Sequence, residues 1–218
     1  HSVDEALLLG DEILIMENGK VKNLKYISSV NIRVAHEKKG CAEKILPFLK
    51  DGESIYNTLL VSKPGAGKTT CLRDCIRSLS NGKEGWEGMK ICVVDERSEI
   101  AACHLGIPQN DMGIRTDVLS GCGKSEGMML MLRSMSPQII AVDELGGKKD
   151  FQAVEQAACS GVRILGTVHA DTVEELWEKP YLKKWMKRGI FERFILIRHN
   201  RSGERDFQVF NGKREQLC

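Results

Sequence analysis

No apolar run in this chain of 218 residues approaches the ~20 needed to cross a bilayer, so any membrane role is expected to be peripheral or to run through partners. No signal peptide is visible, and the chain opens on His1-Ser2 without a methionine, as either a fragment or an engineered start would. Charge of one sign is also missing. Lys and Arg total 32 against 30 Asp and Glu, and a formal +2 gives no global pull towards nucleic acid or lipid. Aromatics make up only 6% of residues, and nothing resembles an RRM, OB or helix-turn-helix element, so no nucleic-acid partner is expected. The eight cysteines form no C-x-x-C pair and the histidines show no paired spacing, which argues against metal binding through them. Cys71, Cys75 and Cys92 lie in apolar stretches, where cysteine acts as a small buried hydrophobe, and a reduced, cytoplasmic setting follows.

What is present is an ordinary globular composition, 42% apolar and 28% charged, long enough for one sizeable domain with an appendage. Between Glu12 and Val34, short apolar runs broken by Asn18-Gly19 signal a hairpin, and a further run over 27–34 completes a small β-rich N-terminal unit, 1–40. Residues 41–50 resemble a helix that Pro47 interrupts or ends. From there to residue 199 the pattern is α/β. Continuous apolar runs at 57–61, 90–94, 138–142, 162–167 and 194–198 suit strands of a mostly parallel sheet covered by helices on both faces. Leu72, Cys75, Ile76 and Leu79 keep helical spacing up to Asn81-Gly82, and a Met-rich helix over 127–135 is expected to pack into the core. Residues 200–218 read as a basic tail. From Lys179 to Cys218, eleven Lys and Arg face four Asp and Glu, which suits either a solvated surface or one for acidic partners or anionic lipid.

The chemistry centres on Leu59-Leu-Val-Ser-Lys-Pro-Gly-Ala-Gly-Lys-Thr-Thr70, a hydrophobic run, a Gly-rich turn and the opening of an amphipathic segment. That order builds a phosphate-binding loop: backbone amides point at phosphate, Lys68 balances charge, and the Thr69 hydroxyl holds Mg²⁺. Pro64, Gly65, Ala66, Gly67, Lys68, Thr69 and Thr70 are the nucleotide-contacting candidates. Ser62 stands where the usual pattern has its first glycine. Gln138-Ile-Ile-Ala-Val-Asp-Glu144 is a strand ending in two carboxylates, Asp143 for the Mg²⁺ shell beside Thr69 and Glu144 to polarise a water. A second carboxylate cluster, Asp95-Glu96-Arg97-Ser98-Glu99, ends another strand and is expected to face the same γ-phosphate region, with Arg97 as charge partner or nucleotide contact. The Gly166-Thr-Val-His169 box ends a third. His169 is either a packed core-edge residue or a sensor of the γ-phosphate. Arg115 and Arg133 precede the strand that ends in Asp143-Glu144, as stabilisers of transferring phosphate in the same or a neighbouring subunit, or as surface ion pairs.

Loop, acidic box, Leu-Arg-x-x-x-Pro and His box, in this order, resemble the type II and type IV secretion ATPases. The strings Asp95-Glu-Arg-Ser-Glu-Ile-Ala, Gly106-Ile-Pro-Gln-Asn-Asp-Met-Gly-Ile-Arg-Thr-Asp117 and Glu126-Gly-Met-Met narrow the resemblance to the stage III sporulation AA family of endospore-forming bacteria. The resemblance implies a RecA-like ATPase using ATP and Mg²⁺, assembled with copies of itself in a homohexameric ring. It also implies membrane-protein partners in a mother cell to forespore channel, with the motor cytoplasmic and peripheral to that complex. By motif it assigns phosphate and Mg²⁺ to Lys68 and Thr69, catalysis to Glu144, the acidic box to Glu96 and the His box to His169. Secretion ATPases commonly carry Gly where Asp143 stands, and their large N-terminal domain corresponds to only about the first 40 residues here. Two other readings fit the motifs, a nucleic-acid-translocating RecA-like ATPase and a nucleotide-binding scaffold or small-molecule kinase. The Asp143-Glu144 pair favours hydrolysis, because a scaffold needs no carboxylate to orient water.

Overall fold

The structure is a computed structural model that describes residues 13–17, 20–24, 38–83, 85–200 and 204–218. The chain divides into two compact units, His1–His36 and Glu37–Cys218. In the first, β1 (Ile13–Glu17) pairs antiparallel with β2 (Lys20–Leu24), Glu17 opposite Lys20. The run over 27–34 lies outside the described residues.

In the second unit, α1 is a single turn, Leu46–Leu49, with Pro47 in its first turn. Proline starts this helix and does not end it, because a first-turn residue has no intrahelical partner for the N–H that proline lacks. After the small hairpin β3 (Lys50–Asp51) and β4 (Ser54–Ile55) come β5 (Thr58–Ser62), α2 (Lys68–Asn81), β6 (Ile91–Asp95), β7 (Thr116–Ser120) and α3 (Lys124–Met135). Then follow β8 (Ile139–Val142), α4 (Lys148–Cys159), β9 (Arg163–His169), α5 (Pro180–Lys187), β10 (Arg193–His199) and β11 (Arg205–Asn211).

The sheet runs β11-β10-β5-β9-β8-β6-β7, parallel except at the β10–β11 edge. Every residue of β5, β6 and β8 is buried, as strands covered on both faces require. Alternate side chains enter two cores. Leu59 and Val61 pack with Met128 of α3, Val154 of α4 and Trp185 of α5, while Leu60 packs with Leu72 and Ile76 of α2 and with Leu49 of α1. Because β5, β6, β8 and β9 are parallel, their carboxyl ends share one rim, the usual ligand side of such sheets.

Two segments differ from the sequence reading. Residues 205–211 are not tail but an edge strand, in which Phe207 and Val209 face the α2 core while Asp206, Gln208 and Phe210 alternate with them, Phe210 packing on the opposite core. Thr116–Ser120 is a strand of half-buried residues at the opposite edge, where one-sided cover allows polar side chains.

Candidate functional site

The loop between β5 and α2 turns at Gly65 (φ 77°) and Gly67 (φ 88°), conformations L side chains rarely adopt. Gly67 is the N-cap of α2 and has no side chain to cap that end, which leaves the first-turn amides for an anion. Pro64, Gly65 and Ala66 also form one wall of a cleft of about 660 Å³ whose far side is Asp171, Thr172 and residues 196–199. Thr70 lies in the first turn of α2, its carbonyl accepting from Cys41 Sγ at 3.7 Å.

Lys68 is buried, and its Nζ donates to Ser62 O (3.4 Å), Ser62 Oγ (3.3 Å), Lys63 O (3.2 Å) and His169 Nδ1 (3.0 Å). The serine in the first glycine position thus adds a hydroxyl acceptor for the loop lysine. Burial lowers the Lys68 pKa, and the charges of Asp143 and Glu144 partly restore it. With Lys68 as donor, His169 Nδ1 is an acceptor, so the ring proton sits on Nε2, which faces Glu144 Oε1 at 3.0 Å. Lys68, His169 and Glu144 therefore form one hydrogen-bonded row. The bond from His169 holds the Glu144 carboxyl below the usual carboxylate range, against desolvation and with help from Arg97 and Lys124. Arg97 meets its other oxygen at 3.1 Å. Glu144 itself sits at φ 52°, a left-handed conformation, and its amide donates to Thr167 Oγ1 at 2.9 Å and Asp143 Oδ1 at 3.1 Å.

Asp143 follows β8. It accepts from Thr69 Oγ1 at 2.7 Å and from Thr167 Oγ1, which joins the tip of β8 to both the loop and β9. Glu96, at the tip of β6, shares a cleft with Asp143 and Glu144 and pairs with Lys124 at 3.4 Å. Lys124 also donates to the Glu144 carbonyl at 2.8 Å. The structure thus gathers Lys68, Thr69, Glu96, Asp143, Glu144 and His169 on one rim.

Two expected residues lie elsewhere, and a third is taken up by its own backbone. Asp95, expected to face phosphate, borders the same cleft as Glu96, Asp143 and Glu144 but is buried at 2% exposure, and both its oxygens accept from backbone amides, those of Glu99 (2.9 Å), Ile100 (3.1 Å) and Ala101 (2.8 Å). Arg115 precedes β7, where its carbonyl bonds the amide of Ile91, the first residue of β6. It therefore lies at the amino end of the strands, away from its own chain's rim. Arg133 is in the last turn of α3, about 13 Å along the helix from Lys124 at 1.5 Å per residue. Lys124 belongs to the rim without standing in any of the sequence motifs; its signal is that it opens a helix after Gly121-Cys-Gly123. Arg205, whose guanidinium lies against Gly67, carries no signal in the chain around it.

Strand order, loop and rim define the class: this is the RecA-like fold of the secretion ATPases. The structure matches the Legionella pneumophila ATPase DotB with a TM-score of 0.58 at 15% identity, covering 92% of this chain and 57% of that one. The pilus retraction motor PilT with bound ADP matches at 0.57 and 16% identity, over 94% of this chain and 64% of that one. The chain belongs to the family "Sporulation stage III, protein AA", whose model matches residues 9–217. It is 45% identical over 182 residues to Stage III sporulation protein AA of Bacillus subtilis (strain 168), covering 84% of this chain and 59% of that protein. The chain spans less than two thirds of that relative's length.

Proposed function

We propose that this protein is a Mg²⁺-dependent ATPase, the motor of a self-assembled hexameric ring that energises a mother cell to forespore channel through membrane-protein partners. The observation that carries the reading is the row Lys68–His169–Glu144 beside Asp143 and Thr69 on one rim. Gly65 to Thr70 cradle the phosphates with amides, and the 660 Å³ cleft gives room for the rest of a nucleotide. An arriving phosphate competes with His169 and Ser62 for Lys68, so binding is reported directly to the histidine and through it to Glu144. Glu144, ionised at neutral pH, orients the attacking water and takes up its proton. Thr69 and Asp143 offer the hard oxygens that suit Mg²⁺, and the ion, when bound with phosphate, neutralises the charge developing on transfer. Arg115 and Arg133 are exposed and lie away from their own rim, which leaves a neighbouring subunit's nucleotide as their place of action.

The test is ATPase rate and molar mass over a protein dilution series, with and without Mg²⁺ and ATP. Specific activity is expected to rise with concentration as rings form. Lys68→Ala and Glu144→Gln are each expected to lower turnover at least about a hundredfold. Turnover by a monomer, independent of concentration, would remove the ring from this reading, and full activity in both variants would remove hydrolysis at this rim.

A further inference from the structure

Within the nucleotide site just proposed, on which this inference rests, the geometry points to Arg205 as a phosphate-binding residue supplied by the same chain. The antiparallel pair β10–β11 sets His199 opposite Arg205 at the carboxyl rim, and both reach the loop. His199 Nε2 lies 3.2 Å from the Ala66 carbonyl. The Arg205 guanidinium packs against Gly67 so closely that a Cβ there would sit 2.6 Å from Nη2 and 2.9 Å from Cζ and Nε. Arg205 is also near enough to Cys41 and Cys71, beside the first turn of α2, for its charge to act on both thiols.

Among the described residues, Nη1 of this guanidinium is buried and makes no hydrogen bond. A buried guanidinium nitrogen without an acceptor is costly, and the rim elsewhere pairs its cations: Lys63 with Asp171, Arg97 with Glu144, Lys124 with Glu96. What fits a planar, forked donor beside a turn of amides is a phosphate group. Arg205 therefore complements Lys68 from the other flank of the loop. Gly67 is a glycine both for its φ and because any side chain would displace the arginine.

Mg²⁺-ADP binding by titration calorimetry on the full chain, for the wild type, Arg205→Ala, Arg205→Lys and Lys68→Ala, tests this. Arg205→Ala is expected to weaken ADP about tenfold to a hundredfold with the melting temperature of the nucleotide-free protein unchanged, and Arg205→Lys to fall between. Wild-type affinity in Arg205→Ala, or tighter binding from removal of an obstruction, overturns the assignment. If Arg205→Ala does not fold, Arg205→Lys decides, since it keeps the charge and loses the fork: unchanged affinity there also overturns it. A wild type that binds no ADP overturns the nucleotide reading itself. Binding that Lys68→Ala abolishes and Arg205 variants leave intact overturns Arg205 alone.

Discussion

Asp95 and Asp143 stand at the ends of neighbouring parallel strands, level with each other because Val94 pairs with Val142, yet they do different work. Asp95 is enclosed and takes amides from residues 99–101, which holds the chain as it leaves β6. Asp143 is partly exposed and, beside the one amide of Glu144, takes the hydroxyls of Thr69 and Thr167, groups that can turn towards another ligand. A carboxylate at a strand tip is thus not a site by itself. Its partners decide: backbone amides have nowhere else to go, whereas hydroxyls beside a phosphate loop can exchange.

The largest effect that would test this contrast is structural. Asp95→Ala leaves three amides without acceptors and is expected to cost about 3 kcal/mol or more, a fall of roughly 6–12 °C in melting temperature. Denaturant unfolding measures it, and a variant as stable as the wild type would erase the difference between the two aspartates. Next is Asp143→Asn, expected to raise the Mg²⁺ concentration for half-maximal ATPase rate about tenfold while moving the melting temperature by less than about 2 °C. A loss of stability equal to that of Asp95→Ala, with unaltered Mg²⁺ response, would make Asp143 a second structural cap. The smallest effect concerns Glu144. Its carboxyl is depressed by His169, so its contribution to stability is complete above the ordinary carboxylate range and is lost as pH falls through the depressed value. Melting curves from pH 7 to pH 3 should therefore show a slightly shallower acid decline in Glu144→Gln than in the wild type, by no more than about 1 kcal/mol for a partly exposed pair.

Much of this rim was legible in the chain. Parallel strands buried on both faces are written as unbroken apolar runs, so the runs and the observed β5, β6, β8, β9 and β10 agree within a residue or two, and the chemistry stands at their ends. The edges were not. β7 reads Thr-Asp-Val-Leu-Ser, with no continuous apolar signal, and β11 was hidden by charge although Phe207 and Val209 keep the two-residue period. Asp95 and Asp143 look alike in sequence because the distinction lies in which way the following chain turns. Arg115 and Arg133 stand near the carboxylate strand along the chain, but a strand and a helix length carry them from the rim. Arg205 depends on a register, His199 opposite Arg205, that only the folded hairpin reveals.

Glu144 has one further consequence. At φ 52° it occupies a backbone state that a side chain enters at a cost on the order of 1–3 kcal/mol, and glycine would enter freely. The residue that would make the fold most restful at this position lacks the carboxylate that the proposed reaction requires. Selection for durability and selection for work pull against each other at this position, so a lineage that no longer needed the reaction would be free to drift there towards glycine and a steadier, idle protein.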